Sequence, residues 1–429
     1  MKRPFYGWII VGAGGIVQWY TSAVFWRGFQ AFIPHILGTF GWSTAATGAA
    51  ISIQRTEGGL ISPFVGYMID KFGPRKIMAF GIITTGFGFI VMSQMQNLWH
   101  FYASIILLTL GMSFGTFIVF VVTVANWFIK KRARALGVLM SFSAIGGITL
   151  PILVGSIETF GWREVMFYVG IGFWIIGLPA TFFMRKTPEE FGLSPDGISE
   201  IETNKLNAKK KIYTQNEIPV KLRKVLNMRT FWQLSIATSF GQLVSSTNLF
   251  HFDALTEFGI SIKMAAFAAG AVAGGDLIGR AGVAAFGDRM DKRKLLTLSF
   301  FVQSIGVGAL ALVNWPIFGL NLGIIPLPVF VICFGLGFGA SIPLRLSLLA
   351  DYFGRRSYGS LVGITSSVNA IFGAIGPALV GLIHDISDSY HIGFSILAIL
   401  LLFSIPLSIT LENPNRVAAR LRIIRNERD

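Results

Sequence analysis

The sequence predicts an all-α membrane protein with twelve transmembrane helices in two six-helix pseudo-repeats. Three observations carry that expectation. Of its 429 residues only 13% are charged and 53% are hydrophobic, whereas a soluble domain has roughly 25% charged residues. Twelve apolar stretches approach or exceed the roughly 20 residues that a helix needs to cross a bilayer. They lie at about 6–36, 44–69, 76–96, 100–128, 134–158, 163–184, 230–256, 263–287, 295–314, 324–350, 358–384 and 390–411. The loop sequences of the first six stretches also recur, in register, among the last six. This composition excludes a disordered chain, an ordinary soluble enzyme and, with Cys333 as the single cysteine, a disulfide-stapled secreted domain.

The first stretch opens with Lys2 and Arg3, as a secretory signal would. Its apolar run is too long for one and eleven more follow, so it reads as an uncleaved signal-anchor. Residues 1–184 then form an N-terminal six-helix bundle. The polar segment 185–229, with Lys209-Lys210-Lys211, is a cytoplasmic linker with room for an amphipathic helix. Residues 230–429 form a C-terminal six-helix bundle with a cytoplasmic tail.

With the N-terminus inside, the inner segments collect Lys71, Arg75, Lys76, Lys130, Lys131, Arg132, Arg134, Arg289, Lys292, Arg293, Lys294, Arg355, Arg356 and the linker and tail cations. The outer loops hold only Arg163 and Lys263. Positive charge on the inner side sets both termini in the cytoplasm. The net charge of +15 is therefore topological, directed at the anionic lipid of the bilayer rather than at nucleic acid. Short loops and the lack of an accessory domain point to a prokaryotic inner (plasma) membrane, with the monomer as the functional unit.

The repeat is specific. Gly66-Tyr67-Met68-Ile69-Asp70-Lys71-Phe72-Gly73-Pro74-Arg75-Lys76 follows the second stretch, and Asp288-Arg289-Met290-Asp291-Lys292-Arg293-Lys294 follows the eighth. Asp70 aligns with Asp288, Arg75 with Arg293 and Lys76 with Lys294. Ala125-Asn126-Trp127-Phe128 and Ala350-Asp351-Tyr352-Phe353 correspond, as do Pro151 to Gly155 and Pro377 to Gly381. Parallel six-helix repeats are the pattern of transporters that rock two halves around a site near mid-membrane. The run at 66–76 resembles the loop 2–3 signature of the major facilitator superfamily, and 288–294 resembles its degenerate second copy. The resemblance implies the major facilitator fold and gives Gly66, Asp70, Arg75, Asp288, Arg289 and Arg293 a gating role. Asp70 and Arg75 are expected to bond neighbouring helix ends.

Ionisable residues inside spans are costly and mark function. They are Arg27, Arg55, Glu57, Asp276, Arg280 and Arg345, with His251 and Asp253 near the outer end of span 7. At 1.5 Å per residue Arg280 lies about 12 Å, Arg345 about 15 Å, and Arg27 and Arg55 about 17 Å from their helix ends. None reaches water by snorkelling alone. Asp276 and Arg280, four apart, share one helix face and form a near-neutral pair. Arg55 and Glu57, two apart, diverge, so Glu57 is expected to pair with Arg27 or water. Setting Asp276 and Glu57 against two arginines leaves two cations over, which argues for an anionic substrate gripped by arginine forks. Each residue also has a purely structural alternative, and that choice stays open here. Asn248, in the run Ser245-Ser246-Thr247-Asn248, is a candidate cavity residue, although Ser and Thr also bond their own helix.

Phe5-Tyr6-Gly7-Trp8 and the Asp276/Arg280 spacing resemble the monocarboxylate transporter branch, which includes the oxalate/formate-type exchangers. The resemblance makes Arg280 the carboxylate-binding residue, ties Asp276 to proton coupling and offers Arg27 as the span 1 cation. The exchangers place a lysine in span 11; here 358–384 has neither Lys nor Arg. The expected function is proton-coupled symport of a small monocarboxylate by alternating access. Arg280, Arg27, Arg55, Arg345 and Asn248 are the candidate substrate residues, and Asp276 and Glu57 the candidate proton carriers. A carboxylate exchanger and, less favoured, a drug exporter are the alternatives. No cofactor beyond the coupling proton, no metal and no catalysis are expected: the histidines are scattered at 35, 100, 251, 384 and 391. Glycine runs such as Gly270–Gly275 read as close helix packing.

Overall fold

The computed structural model describes residues 5–42, 44–197, 222–317, 320–417 and 420, with the side chains of 44–56, 317, 320 and 321 outside the described set. Lys209-Lys210-Lys211 and the Arg55 side chain fall outside it. Among the described residues, helices occupy the twelve expected places. They are α1 (Tyr6–Phe40), α2 (Thr44–Phe72), α3 (Pro74–Ser93), α4 (Leu98–Trp127), α5 (Arg132–Phe160) and α6 (Trp162–Phe183). In the second half α7 runs through Arg229–Ser245, a 3-10 turn at Ser246–Phe250 and His251–Glu257. It is followed by α8 (Ile262–Phe286), α9 (Lys292–Ala311), α10 (Pro326–Phe353), α11 (Tyr358–Ser387) and α12 (Tyr390–Ile409). Ten of these are long and apolar enough to cross a membrane. The other two are the charge-bearing α2 and the interrupted α7. A two-residue hairpin, Pro316–Ile317 with Leu320–Asn321, joins α9 to α10.

Capping, not hydropathy, sets the helix ends. Asn97 Oδ1 accepts from the His100 amide at 2.9 Å and starts α4. The Asp291 carboxylate accepts from the Arg293 amide at 2.9 Å, so α9 begins at Lys292, before the apolar run expected at 295. The Arg293 guanidinium beside it holds the Asp291 carboxyl below the usual carboxylate range. Gly73 (φ +85°) ends α2 and Gly354 (φ +74°) ends α10, both in the left-handed region that glycine enters without penalty.

In lipid, helices associate by close backbone approach at small residues. A Cβ on Gly81 of α3 would come within 2.1 Å of the Gly115 amide of α4. The seam between α8 and α10 is as tight. A Cβ on Gly339 would fall 2.1 Å from the Asp276 carbonyl, and one on Gly279 2.5 Å from the Leu336 carbonyl. The expectation for Gly270–Gly275 is corrected in part: Gly275 packs on Gly335, but Gly270 and Gly274 face open space. They are five residues and one residue from Gly275, on a different side of the helix.

The chain divides into two compact units. The first is built from Met1–Leu222 with Ala350–Ser367, the second from Arg223–Leu349 with Val368–Val417. The end of α10 and the start of α11 thus pack with the first six helices. The start of the linker is also ordered onto the first unit. The buried Asp196 carboxylate accepts from the amides of Ile129, Lys130 and Lys131 at 3.0, 2.8 and 3.1 Å. It serves the chain entering α5, where backbone donors have no helical partner. Asp196→Ala is expected to cost about 1–3 kcal/mol, the penalty for orphaned buried donors. It should lower the Tm of the detergent-solubilised protein, and Asp196→Asn should lower it less.

Candidate functional site

The Asp276/Arg280 pair forms as its spacing requires. One turn apart on α8, the Arg280 Nε donates to Asp276 Oδ1 at 2.6 Å and Nη2 to Oδ2 at 3.0 Å. The two residues are 2% and 6% exposed. Asp276 therefore engages two of the five guanidinium donors through the fork edge that would otherwise grip a carboxylate. The glycine seam fixes this site: Gly339 brings the α10 backbone against the Asp276 carbonyl. Gly339 was not legible as a site residue, since its position beside Asp276 depends on the register of two helices.

Arg27 follows a π-helical turn, Ser22–Trp26, and its amide donates to the Ser22 carbonyl at 3.0 Å. Such turns redirect a helix locally and recur at functional sites. Its guanidinium lies over Gly147 of α5, where a Cβ would come within 2.9 Å of Nη1. Beside it, the Ser22 hydroxyl donates to the Ser143 carbonyl at 2.7 Å. The Gly146-Gly147 doublet in span 5 was the available signal for this contact. Arg27 belongs to the first unit, and Arg280 and the half-buried Arg345 of α10 to the second.

Glu57 departs from its expected pairing. Its Oε2 meets the Thr109 hydroxyl of α4, not Arg27, and its Oε1 is buried without a hydrogen-bond partner. Sequence reasoning missed Thr109 because only the packing of α2 on α4 brings the two together. In the polar run of α7, Ser245, Ser246 and Thr247 each return their hydroxyl to a carbonyl of the same helix, at 2.7 Å. Asn248 alone in that run keeps an exposed side chain. His251, 5% exposed, is enclosed by the rings of Phe330, Phe334 and Phe394 at 5.0, 4.8 and 5.5 Å.

The loop residues cluster in two ways. Asp70 accepts from the amides of Gly359 and Ser360, at 3.0 and 2.8 Å, and from the Ser360 hydroxyl at 2.8 Å. These are the first donors of α11, the helix end at which a carboxylate is favoured. One turn away Gly66 meets Gly359 so closely that a Cβ would fall 2.0 Å from its carbonyl oxygen. In the same unit Arg132 pairs with Asp351 at 2.6 Å, and Arg355 reaches the Asn126 carbonyl at 2.6 Å and Glu189 at 2.8 Å.

Arg75 reaches a neighbouring helix end by a different contact from the one expected: its guanidinium lies 4.7 Å over the ring of Phe182, next to last in α6. Asp288 meets Lys292 at 3.4 Å, Arg293 holds Asp291 at 2.6 Å and the Leu411 carbonyl at 2.8 Å, and Arg289 is exposed. Arg75 and Arg293 thus correspond, each tied to the last helix of its own half or the chain two residues beyond it.

Comparison with known proteins gives the following. The family model described as Major Facilitator Superfamily matches residues 20–377 and 256–423. An uncharacterized MFS-type transporter, YcxA of Bacillus subtilis (strain 168), is 24% identical over 370 residues, which is 85% of this chain and 86% of YcxA. Monocarboxylate transporter 1 of Bos taurus is 24% identical over 411 residues, 90% of this chain and 80% of that protein. The crystal structure of a double-Trp XylE mutant superposes with a TM-score of 0.74 at 13% identity, covering 96% of this chain and 97% of that one. At that identity the likeness concerns the fold alone.

Proposed function

Because the chain belongs to the Major Facilitator Superfamily, and so is a multi-pass membrane transporter, we propose that it carries a small monocarboxylate together with a proton by alternating access. The observation that carries this reading is the buried two-point bond between Asp276 and Arg280. Ionised Asp276 occupies the donors a substrate carboxylate would use. A proton on Asp276 removes its charge, and the guanidinium is then better matched by an incoming anion. One proton and one anion cross together, so the load is electroneutral. Arg27 is the candidate cation of the first unit. Arg345 and Asn248 are retained as further substrate contacts and Arg55 as a candidate. The paired loop residues Asp70 and Gly66 act as the latch. Similarity to a protein named as a monocarboxylate transporter supports the substrate class. The absence of Lys and Arg from residues 358–384 weighs against a close oxalate exchanger.

The test is uptake of labelled lactate into proteoliposomes, with and without an inward proton gradient. Gradient-driven uptake is expected in the wild type, and a flattened pH dependence in Asp276→Asn. Uptake that needs a preloaded anion and ignores pH would move the protein to the exchanger class.

A further inference from the structure

We propose that Glu57 and Thr109 form a second proton-binding site, in the first unit and separate from Asp276. Three features of the geometry support it. Thr109 carries one hydroxyl hydrogen but lies within bonding distance of three acceptors: Glu57 Oε2, the Ile105 carbonyl at 2.9 Å and the Ile106 carbonyl at 3.1 Å. With Glu57 ionised, the hydroxyl donates to the carboxylate. With Glu57 protonated, Oε2–H donates to Thr109 Oγ1, and the hydroxyl hydrogen turns to the Ile105 carbonyl. Both states are bonded with no movement of the backbone. The change takes one proton from water and makes one O–H bond.

The second feature is the other carboxyl oxygen. Glu57 Oε1 is buried and has no hydrogen-bond partner. An unsatisfied anionic oxygen costs far more to bury than the neutral carbonyl of an acid. The third is the lack of a compensating charge: among the described residues, Glu57 has no ion pair. On α4 the titratable side chains are His100 and Tyr102, and His100 lies nine residues from Thr109, about 13 Å along the helix. On α3 they are Arg75 and Lys76 at its first turn, and in the first turns of α11 only Tyr358. On α2 itself Tyr67, Asp70 and Lys71 lie toward the far end. Arg55, two residues away in sequence, has its side chain outside the described set.

The site also adjoins the contact between α2 and α11. The Ser367 hydroxyl donates to the carbonyl of Gly59, two residues from Glu57.

The site rests on its own observations, so its test uses no substrate. Infrared difference spectra of the purified protein are recorded across a pH titration, following the carboxylic-acid carbonyl band. Glu57→Gln is expected to lose one such band that Asp276→Asn keeps. Thr109→Val should keep the band and move it to higher frequency, because the acid loses its hydrogen-bond partner. If Glu57→Gln leaves every acid band of the wild type in place, Glu57 holds no proton and the proposal is wrong, whatever the fate of the symport reading. If Glu57→Gln does not fold, Thr109→Val decides: a shifted band supports the site and an unshifted one overturns it.

Discussion

Arg280→Lys is expected to lose lactate uptake by roughly 10- to 100-fold. The ammonium keeps the charge but gives up one arm of the fork. One charge-assisted hydrogen bond is about 1.5–3 kcal/mol, which converts to that loss in affinity. Arg280→Ala should go further. It takes the guanidinium from a 2%-exposed Asp276, and breaking a buried pair costs about 3–5 kcal/mol because one charge stays behind. Folded yield should therefore fall along with transport. The double variant Asp276→Ala, Arg280→Ala separates the two effects: it should recover yield and remain without uptake. Near wild-type uptake by Arg280→Lys, assayed in the same proteoliposomes, would remove Arg280 from the substrate site.

Gly339→Val is expected to abolish transport without touching a charged residue. Its Cβ would stand 2.1 Å from the Asp276 carbonyl oxygen and 2.8 Å from the adjoining carbonyl carbon, both backbone atoms that no rotamer change can clear. The helices must separate or tilt, at a cost of about 1–3 kcal/mol for overpacking. The carbonyl displaced is that of Asp276, the proposed proton carrier, so the α8 pair loses its fixed position. Gly274→Val is the internal control. It lies on the same helix, two residues from Asp276, but faces open space and should behave as wild type. Uptake and Tm measured for both variants test the seam, and equal behaviour of the two would refute it.

The Asp276/Arg280 bond was legible in the sequence because both residues belong to one helix. A separation of four residues on a 3.6-residue turn fixes the contact without knowledge of anything else. The back-bonded hydroxyls of Ser245, Ser246 and Thr247 are local in the same sense. Glu57 was legible as an ionisable group inside a span, but its partner was not. Thr109 lies 52 residues away, and its contact exists only because α2 and α4 share one packing register. Gly147 under Arg27 and Ser360 under Asp70 fall in the same class. The loop repeat showed correspondence but not contact. Asp70 and Asp288 align, but the alignment names no partner: only the structure brings Asp70 to the first amides of α11.

The sequence by itself determined that this protein crosses a membrane many times, that its halves repeat, and which few charges lie inside. Those properties follow from transfer free energies and helical periodicity, which act residue by residue along the chain. The tertiary structure decided which carboxylate meets which donor, where glycine lets two backbones touch, and that residues 350–367 pack with the first six helices. Those outcomes depend on the rotation and register of one helix against another. In lipid that choice is made by close steric fit at small residues rather than by hydrophobicity, so hydropathy along the chain carries little trace of it.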